Sequence, residues 1–274
     1  MTIALRVLLF GALTYLTVLV ALYAMQTRFI YPAPQDVPPL TPGYSEVELA
    51  TEDGLRLRAF HKEAGPGKPT VLYFHGNGGT LAGASISNGA MAAAGVGVLL
   101  VEYRGYGGNG GEPSEEGFYR DADAALQWLS DNRTPRSDTV VVGNSIGSGS
   151  ATYAAAQLVQ DGTPPLGLIL IAPFTSLPDA ASDQMWWLPV HLLMRDTFPN
   201  RERLEELGQI PTLIQHGTAD IVIGDSHGRA LASSSRSAEF RSYEGSGHGL
   251  SFEQRSQEDR LEWILGQVEA GAEP

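Results

Sequence analysis

A serine flanked by glycines two residues to either side is the first feature of this chain that points to covalent chemistry. Gly143-Asn144-Ser145-Ile146-Gly147 follows the apolar run Thr139 to Val142 and precedes an Ala-rich helical stretch. Strand, sharp turn and helix is the setting of a nucleophile elbow, in which the glycines let the backbone crowd while the serine hydroxyl stands at the tip. The following helix points its N-terminus at the same place, where its amides and dipole favour developing negative charge. A Gly-rich turn with a capping serine is the competing reading.

A serine hydroxyl is a weak nucleophile until a base accepts its proton and a third group orients the base. With an elbow serine, the acid and then the histidine come later in the chain, on loops after further strands. Asp220 lies just beyond the apolar run Thr212 to Gln215, and His248 just beyond Glu239 to Tyr243, inside Gly245-Ser246-Gly247-His248-Gly249. Both stand in the required order. Asp225 falls at the start of the next helix and reads as a cap. His216 reads as a packing or hydrogen-bonding residue beside the Asp220 turn. His61, His191 and His227 have no placement that serves a triad.

Acyl transfer also needs donors for an oxyanion. The run Thr70 to Phe74 ends in His75-Gly76-Asn77-Gly78-Gly79, whose glycines permit close backbone approach. The backbone N–H groups of Asn77 and Ile146 are therefore the expected oxyanion hole above Ser145. No phosphate-cradling loop with lysine and no paired metal-ligand motif occurs in the sequence.

The elements that must position these groups follow a strand-helix rhythm. Thr70 to Phe74, Gly97 to Val101, Thr139 to Val142, Leu166 to Ile171, Thr212 to Gln215 and Glu239 to Tyr243 are short apolar runs, most without alternation. Such runs suit strands covered on both faces, and Gly117 to Asp131 and Ile146 to Gln160 suit crossover helices. The pattern implies an α/β fold with a mostly parallel, doubly wound sheet and right-handed crossovers. Val47 and Leu49, then Leu55 and Leu57, alternate on either side of Asp53-Gly54, which signals an antiparallel hairpin leading into that sheet. Between Ala172 and Pro211 lie about forty residues, more than one crossover needs. This insertion, at about 174–208, is expected to be a helical cap. Its apolar residues Trp186, Trp187, Leu192 and Phe198 are the expected lining of a substrate pocket, with simple cover for the sheet as the alternative.

Between Arg6 and Arg28 no charged residue occurs, and a helix over Val7 to Thr27 would be roughly 30 Å long, the hydrocarbon thickness of a bilayer. Residues 1–28 therefore read as an N-terminal transmembrane anchor. A secretory signal peptide is the competing reading, although Leu22-Tyr23-Ala24 is a poor cleavage site. Arg6 and Arg28 balance, so orientation is weakly specified. Residues 29–43 hold Pro32, Pro34, Pro38, Pro39 and Pro42 and read as an extended linker rather than a packed element. The soluble domain is then 44–274.

Composition narrows the classes further. The 274 residues are 43% hydrophobic and 18% charged, which fits a chain with a sizeable core. A net charge of -13, with no basic stripe, argues against nucleic acid as a partner. The absence of cysteine removes disulfides and thiolate catalysis and leaves every redox compartment open.

His75-Gly76-Asn77, Tyr103-Arg104-Gly105-Tyr106-Gly107 with Pro113-Ser114-Glu115, the Ser145 elbow, His216-Gly217 before Asp220, and Gly247-His248 recur in this order in the α/β-hydrolase superfamily. The set, with Arg28-Phe29-Ile30-Tyr31-Pro32 after the anchor, most resembles its membrane-anchored branch of lysophospholipases, monoacylglycerol lipases and protein depalmitoylases. The resemblance runs from residue 28 onward and implies the α/β-hydrolase fold, a Ser145, Asp220, His248 triad and no cofactor. Glu102 departs from the aspartate usual there, and Ile221-Val222-Ile223-Gly224 lacks a proline often seen. The first reading is thus a serine hydrolase acting on a small-molecule acyl ester, thioester or lipid at a membrane. An amidase or peptidase on the same triad, and a non-catalytic membrane-tethered binding domain, stand as alternatives.

Overall fold

The apolar runs lie side by side in one sheet. The computed structural model describes residues 2–272, so Met1 and residues 273–274 of the expected anchor and domain lie outside the described residues. Its strands are β1 (Ser45–Ala50), β2 (Arg56–Lys62), β3 (Thr70–Phe74), β4 (Gly97–Val101), β5 (Thr139–Asn144), β6 (Gly167–Ile171), β7 (Thr212–Gly217) and β8 (Ala238–Tyr243), in the order β1-β2-β4-β3-β5-β6-β7-β8. The hairpin β1-β2 joins β4 antiparallel, and every pair from β4 to β8 is parallel. The turn of the hairpin holds Gly54 at φ 87°, a conformation that favours glycine.

The helices are α1 (Ile3–Ile30), α2 (Leu81–Ser87), α3 (Gly89–Ala93), α4 (Glu115–Asp131), α5 (Gly147–Gln160), α6 (Leu177–Gln184), α7 (Val190–Leu193), α8 (Asn200–Glu206), α9 (Asp225–Ser234) and α10 (Gln254–Ala272). Successive strand residues point to opposite faces. Leu72, Leu99, Val141 and Leu168 enter one core, while Val71, Val98, Val140 and Ile169 enter the other. Both faces are covered, which is why these strands show no alternation in the sequence. The parallel strands bring the loops after β3, β5, β7 and β8 to one edge of the sheet, the carboxyl edge where α/β folds place ligands.

The cap is α6, α7 and α8, inserted between β6 and β7. Asn200 ties it to the main body, with its Nδ2 donating to Ser148 Oγ (2.8 Å) and to the Phe174 carbonyl (3.0 Å). Phe198 departs from one expectation: it is fully buried and belongs to the hydrophobic core. It packs beside Phe118, Tyr119 and Phe174, and its ring fills the space over Gly149, where a Cβ would lie only 2.2 Å from it.

Helix α1 spans the whole apolar N-terminal stretch and buries none of its residues. It is long and apolar enough to cross a membrane, and it continues to Ile30, past the expected boundary at residue 28. The segment after it has no regular secondary structure, as expected, but it is packed onto the domain. Tyr31 is buried against Phe118 and donates to Asp196 Oδ2 at 2.7 Å. Burial and that carboxylate push its phenol far above the usual range, so it stays a donor. The Gly107 N–H donates to the Pro34 carbonyl, and Gln35 Nε2 to the Gly105 carbonyl. A proline-rich composition predicts extension, and these tertiary bonds supply the attachment that composition cannot indicate.

Removing the Phe198 ring leaves a void beneath α5. Phe198→Ala is expected to lower unfolding stability by about 3–5 kcal/mol in chemical denaturation. A loss below about 1 kcal/mol would place this residue outside the core.

Candidate active site

The elbow is built by steric exclusion. Ser145 sits between β5 and α5 at φ 52°, a left-handed conformation that costs a non-glycine residue about 1–3 kcal/mol. Its N–H donates to the Ile171 carbonyl at 2.8 Å, and its own carbonyl accepts from the Ser148 N–H at 2.9 Å. The flanking glycines are required by their neighbours. A Cβ on Gly147 would lie 2.3 Å from the Phe74 carbonyl oxygen, and one on Gly143 would lie 2.4 Å from the Gly147 carbonyl oxygen. Three backbone segments thus meet at the turn with no room for another methyl group.

The expected partners meet there. Ser145 Oγ lies 2.9 Å from His248 Nε2, and His248 Nδ1 lies 2.7 Å from Asp220 Oδ2. Because a carboxylate only accepts, Nδ1 carries the proton, leaving Nε2 to accept from the serine hydroxyl. Burial pushes the Asp220 carboxyl upward, but hydrogen bonds from His216, His248 and the Ile223 amide outweigh it and hold the carboxyl well below the ordinary range. Val222 and Ile223 N–H groups reach its Oδ1 at 2.9 and 3.0 Å. His248 keeps about a quarter of its side chain exposed, while Ser145 and Asp220 are buried.

Gly76 passes so close to the elbow that a Cβ there would sit 3.5 Å from Ser145 Cβ. The loop places Asn77 in the wall of a cavity of about 240 Å³ that also holds Ser145, His248, Gly249 and Phe252. Ile146 follows Ser145 directly. Among the described residues, neither the Asn77 nor the Ile146 backbone N–H is engaged by a protein acceptor, as two amides awaiting an oxyanion would be. The Asn77 side chain is occupied: Nδ2 donates to the Ile30 carbonyl at the end of α1, and Oδ1 accepts from Tyr106 Oη at 2.8 Å.

The apolar residues named for a substrate pocket are not gathered in this way. Trp186, Trp187 and Leu192 are exposed on the outside of the cap. Apolar hollow space lies instead between α1 and the cap, a cavity of about 370 Å³ walled by Leu22, Phe29 and Ile30 on one side and Met185, Val190 and Met194 on the other. Contact between these two elements is invisible to local sequence patterns, so composition alone does not separate the cap's outer apolar residues from its inner ones.

Supporting residues without a local signature also emerge. His216, read as a hydrogen-bonding neighbour, bonds the Ile223 carbonyl at 2.9 Å and comes within 3.5 Å of Asp220 Oδ2, so it buttresses the acid. His75 pairs with the buried Glu102 at 2.7 Å across the ends of β3 and β4, and Tyr103 Oη donates to the His75 carbonyl. Only the order of strands could have joined His75 to Glu102. Arg104 clamps Asp53 (2.7 Å) and Asp121 (2.8 Å), fastening the hairpin turn to α4. Asp225 pairs with Arg229 and does not cap α9, where Gly224 occupies the capping position. His227 joins the cap to α9 through Thr175 and Asp183. Among the described residues no cluster of potential metal ligands occurs.

A family model described as "Serine aminopeptidase, S33" matches residues 65–202. An uncharacterized protein of Mycobacterium tuberculosis (strain ATCC 25618 / H37Rv) is 34% identical over 253 residues, covering 89% of this chain and 88% of that protein. The lysophosphatidylserine lipase ABHD12 of Danio rerio is 31% identical over 178 residues, which are 60% of this chain and 46% of that lipase. In three dimensions the chain is similar to an alpha-beta hydrolase from Vibrio vulnificus, with a TM-score of 0.74, 23% identity, and coverage of 89% of this chain and 92% of that one.

The crowding at the elbow makes a direct prediction. Gly147→Ala, forced against the Phe74 and His75 carbonyls, is expected to cost about 2 kcal/mol or more in a denaturation curve. Gly266→Ala, in the open middle of α10, is expected to be neutral or slightly stabilising. Equal behaviour of the two variants would contradict the steric account.

Proposed function

The chain belongs to the serine aminopeptidase S33 family of the α/β-hydrolases, and from that premise we propose a serine hydrolase that cleaves a carboxylic ester or thioester through an acyl-serine intermediate. One observation carries the reading: Ser145 Oγ, His248 and Asp220 form an unbroken hydrogen-bonded relay, with the serine held at positive φ. In this mechanism Ser145 Oγ attacks the carbonyl carbon while His248 Nε2 takes its proton. The oxyanion accepts from the Asn77 and Ile146 amides, each such donor contributing on the order of 3 kcal/mol to the transition state. The tetrahedral species collapses as His248 returns the proton to the leaving alkoxide or thiolate. Water then attacks the acyl-serine, His248 accepting its proton and handing it back to Ser145. Asp220, kept ionised by its hydrogen bonds, stabilises the imidazolium through both halves.

The composition of the cavity wall favours this over an aminopeptidase. Among the described residues lining it there is no aspartate or glutamate, so nothing there balances the charge of a substrate's free amino group. A lipid-like acyl substrate is supported by the similarity to a lysophosphatidylserine lipase and by the apolar cavity beside the cap. In this reading residues 1–28 are a single-pass membrane anchor, 29–43 join it to the hydrolase domain 44–274, and the cap is the insertion at about 174–208. The Tyr15 hydroxyl, upstream of the Leu22-Tyr23-Ala24 site, donates to the Trp187 carbonyl at 3.1 Å, and this contact between the helix and the cap supports retention of the N-terminal helix over its removal as a signal peptide.

A panel of p-nitrophenyl esters from acetate to palmitate tests the reaction. Wild-type turnover is expected to fall by at least about 10³ in Ser145→Ala and by about 10³–10⁴ in Asp220→Asn, with fluorophosphonate labelling lost in the serine variant. Folded wild type that neither turns over any ester nor takes the probe would instead favour a non-catalytic, membrane-tethered binding domain.

A further inference from the structure

The length of α1 that stands clear of the domain is too short to cross a bilayer by itself. Tyr15, midway along the helix, donates from its hydroxyl to the Trp187 carbonyl at 3.1 Å, so the cap reaches that far along α1. Beyond this contact only the twelve residues Ile3 to Thr14 project, about 18 Å of helix against a hydrocarbon layer of about 30 Å. Side chains on a helix lean toward its N-terminus, so the cap reaches at least as far as the Tyr15 backbone. On the other side of the contact, Gln26 and Tyr23 are held by Leu193, Arg195 and the Arg195 guanidinium, which keeps that part of α1 alongside the cap.

The cap surface at and beside the Trp187 turn is apolar and exposed. Trp186 is 84% exposed, Leu192 86% and Trp187 48%. Exposed tryptophan beside leucine is the composition of a membrane-interface contact, with the amphipathic indole at headgroup level. We infer that the tip of the cap, Trp186, Trp187 and Leu192, is a second membrane contact that inserts into the same leaflet that α1 enters. An insertion of about 5–10 Å, usual for interfacial apolar faces, adds to the 18 Å of free helix and brings its reach to about 25 Å. Arg6, near the far end, then snorkels to the opposite headgroups. Arg195 and Arg28, nearer the domain, lie on the aqueous side of the inserted tip. The occupant of the apolar patch is therefore the lipid bilayer, and the argument rests on the proposed reading of α1 as an anchor.

The chain's four tryptophans are Trp128, Trp186, Trp187 and Trp263, so α1 itself contributes no indole fluorescence. Full-length protein is reconstituted into phosphatidylcholine vesicles whose acyl chains carry bromine either near the headgroup, at carbons 6 and 7, or deeper, at carbons 11 and 12. Flotation with the vesicles tests the anchor. Insertion of the cap is expected to quench the wild-type emission, more strongly by the shallow bromines, and Trp186→Phe/Trp187→Phe is expected to remove that quenching while still floating. Floating protein whose emission the brominated lipids leave unchanged, or whose quenching survives in the double variant, overturns the inference and leaves the anchor standing. Protein that does not float overturns both.

Discussion

Everything at the candidate site depends on the refusal of space at the elbow. β3, β5 and the first turn of α5 converge so closely that Gly143 and Gly147 have no room for a Cβ, and Ser145 is driven to positive φ. That conformation is unfavourable for serine by about 1–3 kcal/mol and persists because the surrounding structure over-determines it. The Ser145 amide is fixed by β6 through the Ile171 carbonyl, and the two fully covered core layers hold these strands in register. The result is a hydroxyl aimed at His248 with its neighbour's amide free. Flexibility here would scatter the donors that an oxyanion needs in one place.

The loop opposite the elbow is held from several directions at once. Glu102 grips His75 beneath it, Tyr106 holds the Asn77 side chain, and the same Asn77 amide satisfies the carbonyl of Ile30, one of the acceptors that every helix end leaves without an internal partner. The N-terminal helix is therefore joined to the wall of the site by a direct hydrogen bond. With Tyr31 in the core and the proline-rich segment bonded along the hairpin side, the helix has a fixed direction relative to the sheet edge that carries Ser145 and His248. A flexible tether would leave the site free to face any direction. This one would fix how the site faces a membrane if the helix inserts as proposed, and it forms one wall of an apolar cavity whose other wall is the cap.

The sequence by itself determined the order of elements and which polar side chains the fold gathers at the carboxyl edge of the sheet. Strand-helix alternation, the Gly-Asn-Ser-Ile-Gly turn and the apolar N-terminal helix are local patterns, readable because each is set by neighbours within a few residues. The pairing of Ser145, His248 and Asp220 was also legible, since parallel strands deliver successive loops to one edge whatever else varies. What local pattern left undecided was which apolar surface faces what. Phe198 reads like the other greasy residues of the insertion, yet only the closeness of Gly149 makes its ring a core plug. Trp186 and Leu192 face outward while Met185 and Val190 face α1, a division set by the docking of the helix against the cap. The attachment of the proline-rich segment and the links from His75 to Glu102 and from His216 to Asp220 were likewise decided by the tertiary structure. Such contacts arise between chain segments that the fold brings together, and hydrophobicity is non-directional: it says that a side chain seeks cover, and only the packed fold supplies the partner.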